Sequence, residues 1–252
     1  MLDLIVLCFF AFLAGFIDSI VGGGGLIQLP ALLITLPQYT TQMLLGTGKI
    51  PSFVGTITSA IQYGRKVTFR WKMLIPSAFC AFIFSIMGSN LVTYLDNRVL
   101  KPLILVLLIA VAIYTFFKKD LGSVQTKAIA PHIALRWGIG IGIVVGFYDG
   151  FFGPGTGSFL VLAFIAILGY DFLTASAHAK VVNAFTNIGS IIIFGWHGNM
   201  LLQYAIPMAV FNLLGSYIGS KMAILKGNGF VRVVFLVVIG LMILRYGYDI
   251  LK

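Results

Sequence analysis

The chain is predicted to be an all-α, polytopic membrane protein built from two inverted repeats, with broken or re-entrant helices meeting near the bilayer midplane. Three observations carry that expectation. Of 252 residues, 60% are hydrophobic and 10% charged, against roughly a quarter charged in soluble domains, and the mean hydropathy is +1.04. The stretch AGFIDSIVGGGGLIQLPALL at 14–33 returns at 145–164 as VGFYDGFFGPGTGSFLVLAF. Gly15, Phe16, Asp18, Gly22 and Gly24 match Gly146, Phe147, Asp149, Gly153 and Gly155, each 131 positions on. Lastly, equivalent loops of the two copies carry opposite charge bias. The same offset joins Lys49 to Lys180, Gly64 to Gly195, Pro76 to Pro207 and Gly88-Ser89 to Gly219-Ser220, the mark of an ungapped duplication.

The apolar runs of the first copy cover about 2–21, 26–36, 43–63, 73–95 and 99–117. Those of the second cover about 133–152, 158–169, 173–196, 201–222 and 229–248. A full span needs about 20 residues, so 26–36 and 158–169 are expected to be half-helices or the returning limbs of re-entrant hairpins. Counting them or not gives ten or about eight helical segments. The first run follows no basic stretch and carries no small-residue cleavage pattern, which favours a retained transmembrane helix over a signal peptide. The organisation is therefore a first repeat at 1–121, a cytoplasmic linker at 122–131 and a second repeat at 132–252, packed as one bundle.

Orientation follows from the basic residues. The loop GRKVTFRWK (64–72) holds four of them, and the linker region 118–136 holds four against one Asp. Short basic loops stay cytoplasmic. The counterpart of the first loop, GWHGNMLLQ (195–203), has no Lys or Arg, and the following stretch from Lys221 to Arg232 is basic. The copies are thus expected to insert in opposite senses, with both termini outside. The net charge of +10 is explained by this bias and by anionic headgroups, without a nucleic-acid partner.

Each copy places an Asp and a glycine cluster inside an apolar run. A lone Asp at the bilayer centre costs about 2.5–3.5 kcal/mol on insertion scales, so it faces a cavity or a partner. Paired helix breaks at matching places in two halves point to a transporter's binding site. Gly24 and Gly25 in the first copy, and Gly155, Thr156, Gly157 and Ser158 in the second, are candidate anion ligands, because amides at a helix start favour negative charge. Close helix packing by small residues is the competing reading for the glycines; a Rossmann loop is disfavoured, since no βαβ unit surrounds them. Asp18 and Asp149 can carry protons, stabilise the breaks, or pair with Lys49 and Lys180. The two lysines either snorkel or bind substrate. His178 titrates near neutral pH or satisfies a neighbouring helix. Asn183 and Asn187 lie four apart, one face with Lys180 about a turn before, a polar stripe that turns from lipid. On these neighbours Lys180 ranks above Lys49 as the anion ligand, and Lys49 is expected to pair with an Asp across the repeat interface.

The motifs GFIDSIVGGGG, GFYDGFFGPGTGSF and TASAHAKVVNAFTNIGS resemble the TauE/SafE family of membrane transporters, of sulfite-exporter type, and within it the YfcA-like branch. The resemblance covers nearly the whole chain. It implies a polytopic permease of the bacterial inner membrane, with export of organosulfur compounds or sulfur oxyanions in some members, and it fixes no substrate for this branch.

Other chemistry finds little support. Three His residues and no Glu leave a poor stock of metal ligands, no nucleophile motif appears, and no cofactor is expected. Cys8 and Cys80 sit in apolar runs as free thiols. The expected function is a secondary transporter moving a small anion (sulfite, an organosulfonate or a similar organic anion), in the export direction. The alternatives are an anion channel and a membrane assembly factor without transport activity. Expected partners are the substrate and membrane lipid, and a homodimer is compatible with the sequence.

Overall fold

A computed structural model describes residues 2–96 and 129–250, with the side chains of 228–250 excepted. The expected run at 99–117, most of the linker at 122–131 and the side chains of the run at 229–248 lie outside the described residues. The elements are all helices: α1 (Leu2–Val21), α2 (Gly25–Thr35), α3 (Thr41–Gly64), α4 (Trp71–Thr93), α5 (Pro131–Phe151), α6 (Thr156–Leu168), α7 (Phe172–Trp196) and α8 (Leu202–Ile250). Gly227, with φ of 69°, divides α8 into two helical stretches. The duplication is visible element by element: α2 and α6 begin at 25 and 156, α3 and α7 at 41 and 172, and α4 and α8 at 71 and 202.

Four helices are long and apolar enough to cross a membrane among the described residues: α1, α4, α5 and the part of α8 up to Gly227. Their outward faces are apolar, with Ile5, Phe9, Phe79, Val144, Ile206 and Val210 exposed. Exposed Trp71, Tyr94 and Trp196 stand at helix ends, where amphipathic rings suit a membrane–water boundary. Helices α3 and α7, of 24 and 25 residues, are more polar and bury most of their polar side chains in the bundle. α2 and α6 have 11 and 13 residues, about 16 and 20 Å at 1.5 Å per residue. Neither is long enough to cross a hydrocarbon core of about 30 Å.

Small residues decide which helices pair. Gly142, Gly146 and Gly150 repeat every four residues on α5, and a Cβ at any of them would collide with the backbone of Ser77, Ala81 or Ser85 on α4. Gly215 and Gly219 of α8 stand likewise against Phe12 and Phe16 of α1. Such close approach is how apolar helices gain dispersion contacts where lipid offers no hydrophobic driving force. Ser77 and Ser89 add interhelical hydrogen bonds to the carbonyls of Gly138 and Gly150, at 2.7 and 3.0 Å. The outcome is an exchange pattern, with α1 on α8 and α4 on α5, while α3 and α7 meet between them.

The helix starts also match. Thr40 caps α3 by accepting from the Met43 amide at 3.3 Å, and its repeat counterpart Asp171 caps α7 by accepting from Thr174 at 3.0 Å. One helix length separates the equivalent loops. α4 starts next to Arg70 and ends next to Tyr94, whose ring lies 6.2 Å from that of His197. Loop 65–70 and loop 197–201 therefore occupy opposite ends of the bundle. The larger apolar core, including Tyr63, Leu74, Phe164, Leu168 and Tyr170, fills the Arg70 end.

Candidate functional site

The site is built on the two helix breaks. α1 stops at Val21 because Gly22 and Gly23 take φ of 78° and 92°, and α5 stops at Phe151 before Gly153 and Gly155 at 91° and 86°. This left-handed region is open to glycine at little cost. The breaks touch one another: a Cβ at Gly22 would strike the Gly157 backbone, and one at Gly157 would fall 2.7 Å from Gly22 Cα.

Each break leaves helix-end carbonyls short of donors, and a lysine of the other repeat reaches one at each break; the Asp18 carbonyl also accepts from the Gly22 amide at 2.8 Å. Lys49 Nζ donates to the Asp149 carbonyl at 2.7 Å and to Asp149 Oδ2 at 2.9 Å. Lys180 Nζ donates to the Asp18 carbonyl and, at 2.7 Å, to Asp18 Oδ2. A cation beside a helix C-terminus also complements the macrodipole. Asp18 reaches across its own break, where Oδ1 accepts from the Gly24 amide at 3.2 Å. Ser158 and Ser176 hydroxyls donate to the carbonyls of Val21 and Ile20 at 3.4 and 3.3 Å. With one carboxylate for each ammonium, the two pairs together are neutral.

A small cavity, open at its mouth, lies between the breaks. Its polar lining includes Asp18, Gln28, Lys49, Ser52, Asp149, Thr156, Asn183 and Asn187, with backbone from Gly23, Gly25, Gly153, Gly155 and Gly157. Leu29, Leu32, Leu44 and Leu45 extend the lining along α2 and α3 towards their connecting turn. An ammonium has three donors; two of Lys49's go to Asp149, which leaves one for the cavity. Asn183 Oδ1 accepts from Thr186 Oγ1 at 3.2 Å and from Asn187 Nδ2 at 3.4 Å, and its own amide donors are left for the cavity.

The structure thus brings together Lys49, Asn183, Asn187, Gly25, Gly155, Thr156, Gly157, Asp18 and Asp149. It places the remaining candidates elsewhere. Lys180 is wholly buried off the cavity, Ser158 turns to Val21, and Gly24 donates to Asp18. The ranking of Lys180 above Lys49 does not match this placement, since Lys49 is the lysine on the cavity wall. His178 lies at the Arg70 end, with Nδ1 2.8 Å from the Thr174 carbonyl and Nε2 accepting from the Arg70 amide at 3.1 Å.

Sequence reasoning missed Gln28 and its support. Gln28 Nε2 donates to the Gly48 carbonyl at 2.8 Å, and its Oε1 accepts from Asn212 Nδ2 at 3.2 Å. A lone Gln inside the apolar half-helix LIQLPALL was the available signal, since such a group needs buried partners. Ser52 was recoverable too, as the repeat counterpart of Asn183.

Comparison with known proteins places these features in context. Residues 7–246 match the sequence model of the family described as Sulfite exporter TauE/SafE. A probable membrane transporter protein, ORF9, of a Sinorhizobium species is 36% identical over 230 residues, 90% of this chain and 86% of the relative. A probable membrane transporter protein of Haemophilus influenzae is 35% identical over 254 residues, covering 98% and 96%. The probable membrane transporter protein YfcA of Escherichia coli K12 is 34% identical over 244 residues, covering 97% and 89%. No solved structure matches.

Proposed function

We propose, for a chain that belongs to the sulfite exporter TauE/SafE family and is a membrane transporter, that its cargo is a small anion such as sulfite or an organosulfonate, exported across the bacterial inner membrane. The observation that carries this reading is Lys49. It is an ammonium oriented by Asp149, with one donor left, on the wall of a cavity between two helix breaks. Asn183, whose side-chain oxygen accepts from Asn187, and the start of α6 supply further donors around it, and charge-assisted hydrogen bonds are roughly twice as strong as neutral ones. The neutral balance of the two ion pairs favours a cargo that binds weakly enough to leave.

The repeats are read as inverted, which the opposite ends occupied by loops 65–70 and 197–201 and their opposite charge bias support. Rocking of one repeat against the other would then expose a central site to each side in turn. Direction follows from charge. With the cytoplasm negative, moving one negative charge outward is favoured by about 2.3 kcal/mol per 100 mV, so export needs no coupling ion.

Sulfite efflux from proteoliposomes tests the reading. An inside-negative potassium-diffusion potential should accelerate protein-dependent efflux of sulfite or ethanesulfonate, and collapse of the potential should slow it. Absence of flux for both anions would overturn the proposal. Unitary currents in planar bilayers, far above carrier turnover, would assign the same cavity to a channel.

A further inference from the structure

The cavity obeys the repeat in its middle and departs from it on both sides: Gly157 and Asn187 line it without Leu26 and Thr56, and the longer departure runs along α2–α3. Asp18 and Asp149, Gly23 and Pro154, Gly25 and Thr156, and Ser52 and Asn183 are four pairs of repeat counterparts, and both members of each pair line it. Leu29, Leu44, Leu45 and Lys49 line it without their counterparts Leu160, Ala175, Ser176 and Lys180. Those four have no exposed surface, against 5% at Leu29 and Leu45 and 6% at Lys49. One sequence unit is thus present in two packings, more open along α2–α3 than along α6–α7.

We infer a second, occluded route and anion subsite at Lys180, the counterpart of the Lys49 arm, which opens along α6–α7 towards the Arg70 end when the α2–α3 arm shuts. The inference rests on the transport reading and adds the path on the other side, the residues that line it and the lock that closes it. Of the paired residues, Gly25, Ser52, Thr156 and Asn183 carry the donors that would face the anion in both states, while the unpaired arms alternate. Lys180 already grips Asp18 as Lys49 grips Asp149, so the exchange needs no new charge in the apolar interior.

A clasp stands where this route would emerge. The Arg70 amide donates to His178 Nε2 at 3.1 Å, and the Arg70 guanidinium lies 5.1 Å from the Tyr170 ring centroid. The Phe69 ring packs edge-on to His178 with centroids 5.3 Å apart. These contacts tie the α3–α4 loop to the start of α7. The counterpart of His178 is Thr47, which binds the Leu201 amide at 2.9 Å. Each repeat thus anchors the other's loop, and the ring-stacked version sits on the closed side.

Thiol labelling tests this without any substrate, so its outcome is separate from that of sulfite transport. In a background with Cys8 and Cys80 replaced, Leu45→Cys and Ser176→Cys would be probed with a membrane-impermeant maleimide on each side of the membrane. Leu45→Cys should react from the His197 side. Ser176→Cys should react slowly and only from the Arg70 side, and His178→Phe should raise that rate by about two- to tenfold, as loss of one net hydrogen bond allows. Arg70→Ala, which keeps the backbone bond and removes the ring contact, should raise it less. Retained Leu45→Cys labelling in each variant reports an intact fold; were His178→Phe to lose it, Arg70→Ala alone would decide. Reaction of Ser176→Cys from the His197 side, or a rate unmoved by every clasp variant that keeps its fold, would overturn the inference.

Discussion

Lys49 Nζ stands 2.9 Å from Asp149 Oδ2, and the repeat image of that contact, Lys180 to Asp18, spans 2.7 Å. Each pair crosses from one half of the chain to the other. A lysine in one copy therefore finishes the broken helix of its twin, and neither break is complete within its own repeat. This reciprocity is the isologous pattern that two-fold related units produce. It ties the duplication read from sequence to the energetics of the site.

Breaking one partner of such a pair should cost far more than removing both. Lys49→Gln or Asp149→Asn alone leaves a buried charge uncompensated, with an expected loss of about 3–5 kcal/mol. The double variant should recover much of it, because the neutral groups can still hydrogen-bond. Thermal unfolding of the three variants in detergent forms the cycle. Additive losses would show that the pair is not coupled.

The glycines separate into those the fold requires and those it tolerates. Gly22 combines φ of 78° with a collision against Gly157, whereas a Cβ at Gly140 meets nothing within 4 Å. Gly22→Ala should therefore lower folded yield and melting temperature sharply. Gly140→Ala, inside α5, should leave both unchanged or raise stability by about 0.5–1 kcal/mol. Equal behaviour of the two would argue against a break held by glycine backbone.

Much of this architecture was legible because the chain states it twice. The short limbs expected at 26–36 and 158–169 are observed at Gly25–Thr35 and Thr156–Leu168, since glycine clusters and length limit what else they can be. The pairing of Lys49 with an Asp across the repeats, expected from its donor-poor neighbours, is seen as Lys49 with Asp149, and Lys180 makes the same pair with Asp18. Which lysine faces the cavity was not. Lys49 and Lys180 occupy one repeat position, and their difference arises from how the α2–α3 and α6–α7 arms pack, a tertiary asymmetry that local neighbours do not encode. For His178 the sequence left two readings open, titration or satisfying a neighbouring element, and its ring turns to Arg70 and away from the cavity.

Topology is open to a direct check. Lys66 and His197 are repeat counterparts, both exposed, in loops at opposite ends of the bundle. In a cysteine-free background, Lys66→Cys should be labelled by an impermeant maleimide only from the cytoplasmic side and His197→Cys only from the other. Labelling from one side alone would mean parallel repeats, and the alternating arms would lose their geometry.

The central claim is that a small anion binds at Lys49 between the helix breaks. Calorimetric titration with sulfite and ethanesulfonate, comparing the natural protein with the charge-balanced Lys49→Gln/Asp149→Asn variant, tests it most directly. The double variant avoids the confounding carboxylate that Lys49→Gln alone would leave. Saturable binding should weaken by about 1.5–3 kcal/mol, the worth of a hydrogen bond to a charged group, or roughly 10- to 150-fold in Kd. Undiminished affinity in a folded double variant, or no saturable binding of either anion to the natural protein, would contradict the account.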